Sequence, residues 1–178
     1  MKTKPALRSS KTVFRGFFDI HTDLVARADG ELFEYSSMFL NNDAVIIVAT
    51  NPEGLLILNR EYRHPTGEWI LGCPGGRLEK GENPIEGARR ELFEETGYWT
   101  DDITLIGSSF PLPSLLNQKL YFVWAKNAHL KDSQHLDPFE FIEIELKTMD
   151  ELKKEIQAGA LIDGLMCTAL WYKSMTAC

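Results

Sequence analysis

The stretch from Gly67 to Gly97 leaves the chain little conformational choice. From Gly67 to Gly81 it is rich in glycine, with Cys73-Pro74-Gly75-Gly76 at its centre, and reads as a loop. A helix must follow, on local chemistry alone. Asn83 is a capping residue, Pro84 suits the first helical turn, and Glu86 stands three residues past the cap. Ile85, Ala88, Leu92 and Thr96 recur at helical spacing as one packed face, and Gly97 supplies the C-terminal stop.

Strands surround this helix. Phe14 to Ile20, Asp23 to Ala28 and Glu31 to Phe39 alternate between short polar breaks. Asp29-Gly30 predicts a two-residue type I′ hairpin, which needs positive φ at both positions. Asp43 to Thr50 and Leu55 to Arg60, joined by the turn Asn51–Gly54, are apolar enough for buried central strands. Past the helix, Ile103 to Phe110, Leu120 to Lys126 and Phe139 to Leu146 read as strands. Thr148 to Ala158 and Leu161 to Met175 read as closing helices. One helix among strands, then two more, predicts an α+β fold with helices covering a mixed sheet. No repeat or linker divides the 178 residues, so one domain is expected, with 1–40 as N-terminal strands and 41–178 as its core.

With 44% hydrophobic and 25% charged residues, the chain has the composition of a soluble globular protein. Its longest aliphatic run, Ala44 to Ala49, is far short of the ~20 residues of a membrane span. Met1 to Lys11 is basic and polar and resembles no secretory signal. The net charge of −7 argues against a nucleic-acid surface, which needs a basic stripe. An acidic chain that binds phosphates must supply arginines or a metal. Three cysteines, Cys73, Cys167 and Cys178, leave an odd thiol and point to a reducing cytoplasm.

The predicted helix carries Glu91, Glu94 and Glu95 at i, i+3 and i+4. Like charges at that spacing cost roughly 0.2–0.5 kcal/mol each, and the helix C-terminal half disfavours anions. Two explanations fit. Either the three glutamates are a solvated acidic face, partly offset by Arg89 and Arg90, or a cation binds them. Oxygen-only ligands select hard ions, Mg²⁺ with Mn²⁺ as substitute.

The wider pattern is Gly76-x5-Glu82-x7-Arg90-Glu91-Leu92-x-Glu94-Glu95-x-Gly97-Tyr98. It fills each position of the Nudix box, and the chain resembles the Nudix hydrolases. That resemblance implies an α/β/α sandwich with a mixed sheet and an N-terminal antiparallel extension. It also implies a loop-helix-loop catalytic motif that cleaves nucleoside diphosphates linked to another moiety. Glu91, Glu94, Glu95 and the Gly75 carbonyl are then the expected metal ligands. Arg90, paired with Glu82, is expected to orient the glutamates.

Flanking residues address the substrate. Asn59-Arg60-Glu61-Tyr62-Arg63, then Trp69 and Pro74-Gly75-Gly76, resemble a segment of ADP-ribose pyrophosphatases. Arg63 and Arg60 are the implied diphosphate contacts. Pro113, about 15 residues beyond the box, matches a mark of the ADP-ribose group. The C-terminal stretch from Phe139 to Gly164 also resembles ADP-ribose and nucleotide-sugar hydrolases. Gly72 departs from the pattern, where that group often has Glu. Relatives place a catalytic glutamate in the loop Gln134 to Glu140. Here Glu140 is the first candidate and Asp137 the second, with Glu94 as an alternative base. His64, His129 and His135 read as surface residues, and Cys73 as packing.

The expected activity is Mg²⁺-dependent hydrolysis of ADP-ribose or a related nucleotide sugar by a cytoplasmic homodimer whose N-terminal strands help complete the partner's site. GDP-sugars, dinucleoside polyphosphates and damaged nucleotides are alternative substrates. A non-catalytic nucleotide sensor is the alternative class.

Overall fold

The parallel pair β4 (Ala44–Thr50) and β9 (Leu120–Ala125) forms the centre of a six-stranded sheet. Along β4, Val45, Ile47 and Ala49 enter one apolar cluster, and Ala44 and Val48 enter another. Both faces of this strand are covered, which explains its unbroken apolar run. The remaining strands are β5 (Leu56–Arg63), β6 (Glu68–Gly72), β8 (Ile103–Ser109) and β11 (Ile142–Lys147). The order is β11-β5-β4-β9-β8, with β6 also paired to β5. β7 (Tyr98–Trp99) and β10 (His129–Leu130) form a separate short ribbon.

This is a computed structural model, and it describes residues 4–176. The start of the basic N-terminal segment and Cys178 lie outside the described residues. Two compact units emerge: the residues up to Asp43 with Phe110–Lys119, and Ala44–Ser109 with the chain from Leu120 onward.

In the second unit, α1 (Pro84–Thr96) covers one face of the sheet and α2 (Met149–Gln157) and α3 (Gly164–Ser174) cover the other. The α1 cluster includes Ile57, Leu78, Ala88, Leu92 and Val123. The opposite cluster includes Leu58, Leu71, Phe122, Leu152 and Met166. Burying a side chain such as Leu92 contributes about 1.5–3 kcal/mol. The α/β/α sandwich expected from the sequence is the observed fold.

The caps of α1 form as their chemistry dictates. Asn83 Oδ1 accepts from the Ile85 amide at 2.8 Å, Pro84 opens the helix, and Gly97 closes it at φ 74°. Glu86 does not complete a capping box; it pairs with Arg89 at 2.6 Å.

The first unit holds the antiparallel sheet β1 (Ala6–Phe14), β2 (Asp19–Ala26) and β3 (Leu32–Phe39). Residues 110–119 attach to it through Leu115 O to the Met38 amide and a two-way Asn117–Leu40 pair. Two expectations fail here. Phe14 to Ile20 is not one strand, because the chain turns between β1 and β2. The Asp29-Gly30 hairpin is not type I′, since Gly30 has φ 89° but Asp29 is not at positive φ. Gly30 N donates to Arg27 O, and Arg27 N to Glu31 O. That is a longer loop with one left-handed residue at its end.

Candidate active site

Alternation along β5 sorts the chemistry by face. Ile57 enters the α1 cluster, so Asn59, Glu61 and Arg63 stand on the α1 side, while Leu58 and Arg60 stand on the α2–α3 side. The sequence spacing contains this result: Arg60 and Arg63 are three residues apart, so one strand cannot present both to one site.

On α1, Glu91 and Glu95 share the packed face with Ala88 and Leu92. Glu91 is 9% exposed and Glu95 5%. Only Glu94 faces solvent, with its side chain 43% exposed. The solvated acidic face is therefore not what forms. Burial pushes Glu95 well above the ordinary carboxylate range, against the Gly75 amide bond that lowers it; Glu91 and the more distant Glu61 and Glu140 add to the rise. Glu91 is raised chiefly by burial too, with Arg90 opposing.

The loop 74–76 is fixed between β4 and α1. Val45 N donates to Gly76 O at 2.9 Å and Ile47 N to Pro74 O at 2.8 Å. These two amides leave the Gly75 carbonyl free of β4, while Gly75 N donates to Glu95 Oε2 at 2.8 Å. A Cβ at Gly75 would run into the Val45 carbonyl oxygen, and one at Gly76 into the Glu91 carboxylate. Close approach of backbone requires glycine at Gly75, while a side chain at Gly76 would displace the Glu91 carboxylate.

Arg90 organises the acids. Its Nε and Nη2 form a fork on Glu82 at 3.0 and 2.9 Å, Nη1 donates to Glu91 at 2.9 Å and Glu94 at 3.0 Å, and Nη2 also reaches Arg77 O at 3.1 Å. The fork holds Glu82 below the ordinary carboxylate range. Among the described residues, no group of three or more His, Cys, Asp or Glu side chains is arranged to hold a metal ion. Gly75, Glu91, Glu94 and Glu95, the ligands the resemblance implies, are each engaged within the chain or aimed beside the loop rather than closed around one point. Arg90 holds Glu91 and Glu94, while Glu95 turns to Gly75. The donor chemistry still fits a hard divalent cation: all are oxygens, and two are buried carboxylates held in mutual repulsion.

Glu140 Oε2 accepts from the Asp137 amide at 2.9 Å, inside a turn closed by Glu140 N on Asp137 O. Its charge raises Glu61, Glu91 and Glu95 alike, so it borders the same space. Asp137 is exposed. Arg63 binds Glu61 at 2.5 Å on the site face. Arg60 is not brought to the site: its guanidinium is bound to Glu145 of β11 on the other face. Pro113 belongs to the first unit and is exposed there.

Arg60→Ala is therefore expected to leave kcat/KM within about twofold and to cost at most about 1 kcal/mol, because Lys147 still pairs with Glu145 at 2.7 Å. Steady-state kinetics with a denaturant melt check this. A large rise in KM would return Arg60 to the site.

Two further site residues lie in the segment 59–63, where the sequence reading gives them no site role. Asn59 donates to Glu95 Oε2 at 2.8 Å, and Glu61 is a half-buried carboxylate raised by its burial. Each acquires its role from an element distant in sequence.

Comparison with known proteins identifies the family and the fold. The family model described as the NUDIX domain matches residues 40–164. The chain is 32% identical over 130 residues to the ADP-ribose pyrophosphatase of Bacillus subtilis (strain 168), covering 72% of this chain and 70% of that one. It is also 32% identical over 130 residues to the methanol dehydrogenase activator of Bacillus methanolicus, with the same coverage of 72% and 70%. A crystal structure of an ADP compounds hydrolase superposes with a TM-score of 0.87 at 26% identity, covering 98% of this chain and 94% of that one. A glycine loop docked on a helix with buried glutamates, matched along most of the chain by the family model, makes this protein a member of the Nudix hydrolase family.

Proposed function

We propose that the chain hydrolyses the diphosphate bond of ADP-ribose or a related nucleoside diphosphate sugar, releasing a nucleoside monophosphate and a sugar phosphate. The observation that carries this reading is the pair of buried carboxylates, Glu91 and Glu95, packed beside the 74–76 loop. Similarity to an ADP-ribose pyrophosphatase and an ADP compounds hydrolase supports the substrate class.

Nudix hydrolases generally act with divalent metal ions. In this reading the ion is Mg²⁺, with Mn²⁺ as substitute, held by Glu91, Glu94, Glu95 and the Gly75 carbonyl. When bound, it neutralises charge on the phosphoryl oxygens and lowers the pKa of a water. Arg90 keeps the glutamates oriented through its fork on Glu82. Arg63, on the same sheet face, offers a planar guanidinium to the diphosphate once it leaves Glu61. Glu140 takes the proton of the attacking water, with Glu94 as the alternative base.

Glu140→Gln is expected to lower kcat by about 10²–10⁴, with Asp137→Asn near wild type. Little loss in Glu140→Gln transfers the role to Glu94.

The same reading includes a homodimer built with the N-terminal strands. β1, at an edge of its sheet, is exposed along nearly all its length, with Leu7 62% and Val13 52% exposed. Cys73 and Cys167 are free thiols, in accord with a reducing cytoplasm. No helix of the described residues is long and apolar enough to cross a membrane.

The deciding experiment is a substrate panel of ADP-ribose, GDP-mannose and a dinucleoside polyphosphate, read by phosphate release after phosphatase treatment, with and without Mg²⁺. ADP-ribose is expected to lead. A preference of less than about tenfold identifies a broader nucleotide-sugar hydrolase, and turnover that ignores a chelator overturns the mechanism.

A further inference from the structure

Folding alone does not account for Asn59. It stands within β5 on the face that carries Ile57 into the α1 cluster, and it is only 3% exposed. An aliphatic side chain there packs without polar cost, whereas a buried amide needs partners on both of its atoms. Asn59 has a partner on one. Its Nδ2 donates to Glu95 Oε2 at 2.8 Å, and its Oδ1 is buried with no hydrogen-bond partner among the described residues. Such an orphan acceptor is rare in folded proteins and calls for a reason.

The geometry at Glu95 supplies that reason. Two donors converge on the same carboxylate oxygen: Asn59 Nδ2 from β5 and Gly75 N from the glycine loop, each at 2.8 Å. They approach from separate elements, so together they fix the rotation of the carboxylate as well as its position. Oε1 takes part in neither bond. A ligand held in this way offers one oxygen in a set direction, whereas a single donor leaves the group free to swing. The loop donor alone is a backbone amide, whereas the second restraint depends on this one side chain.

We propose that Asn59 is a positioning residue that pins Oε2 of Glu95 and so presents Oε1 to the divalent cation. This rests on the reading of Glu95 as a cation ligand. The orphan Oδ1 is the cost of placing a donor at that point of a buried strand.

The test uses the full chain and Mn²⁺ alone as probe, with free Mn²⁺ followed by electron paramagnetic resonance. Asn59→Leu fills the same space without a donor. Its Kd for Mn²⁺ is expected to rise about 10–100-fold, while its melting temperature without metal holds or increases as the orphan acceptor disappears. Turnover is expected to need proportionately more Mn²⁺ and to recover at saturation. A merely structural Asn59 predicts the reverse, a lower melting temperature with unchanged Kd, and that result overturns the proposal. Should Asn59→Leu fail to fold, Asn59→Ser, too short to reach Glu95, is read by the same criteria. If the wild-type chain itself takes up no Mn²⁺, the cation reading falls and Asn59's role falls with it; a wild-type Kd matched by both variants defeats this inference alone.

Discussion

Replacing Glu95 with Gln is expected to lower turnover by at least about 10²-fold, on the scale of losing a group that holds a metal ligand or more, and to make the protein more stable at neutral pH. The two effects have opposite signs for one reason. Glu95 is 5% exposed, and its burial disfavours the ionised form. Glutamine keeps the shape, and its Oε1 still accepts from Gly75 N and Asn59 Nδ2, so the local structure survives. What disappears is a buried ionisable carboxylate, whose charged form is costly to folding and required by a cation.

The pH dependence follows by linkage. With its folded-state pKa above the unfolded value, Glu95 binds its proton more tightly in the native chain. That contribution to stability is complete below the ordinary carboxylate range and is lost as pH rises through the raised folded value. Glu91 and Glu61 are raised as well, and they act in the same direction. Glu82 and Glu145 are lowered by Arg90 and Arg60, and their contribution is lost instead as pH falls below the ordinary range. Metal-free stability should therefore decline with rising pH above the ordinary carboxylate range, less steeply in Glu95→Gln. Added Mg²⁺ should raise the melting temperature of the wild type but not of the variant. Melts across pH, with and without Mg²⁺, check all of this. Full turnover in Glu95→Gln would remove the residue from the mechanism.

How much of this was legible depended on the range of the interaction. The ends of α1 are written in Asn83, Pro84 and Gly97, because caps act within a few residues. The strands β4 and β5 are legible as apolar runs, since both their faces are covered. β6 hides within the segment read as glycine-rich loop, although Trp69, Ile70 and Leu71 are apolar; its pairing with β5 makes it a strand. Of the N-terminal strands, Glu31 to Phe39 matches β3, whereas the first two are displaced in the sequence reading, because register there is set by partner strands and not by local pattern. Glu91 and Glu95 are legible as a carboxylate pair, yet their burial depends on the sheet beneath them. Asn59 illustrates the limit: its partner is 36 positions away, and nothing beside it in the chain announces that contact.

Gly75→Ala is expected to be the most damaging change of a single methyl group in the site. The added Cβ would meet backbone, the Val45 carbonyl oxygen and the Ile46 Cα, which cannot rotate away as a side chain would. The loop cannot retreat either, since Pro74 and Gly76 are hydrogen-bonded to β4 on both sides of it. Overpacking of this kind costs about 1–3 kcal/mol, and each strained hydrogen bond adds about 0.5–1.5 kcal/mol. For a chain of this size, a loss of that order lowers Tm by roughly 2–4 °C per kcal/mol. Activity should fall further than stability, because any shift of the loop moves the amide that holds Glu95 Oε2. Gly81→Ala is the control. Gly81 has φ 81° with nothing within 4 Å of an added Cβ, so it should lose only the backbone penalty of about 1–2 kcal/mol and keep its turnover. Equal losses of activity in the two variants would show that the loop as a whole, and not its contact with Glu95, sets catalysis.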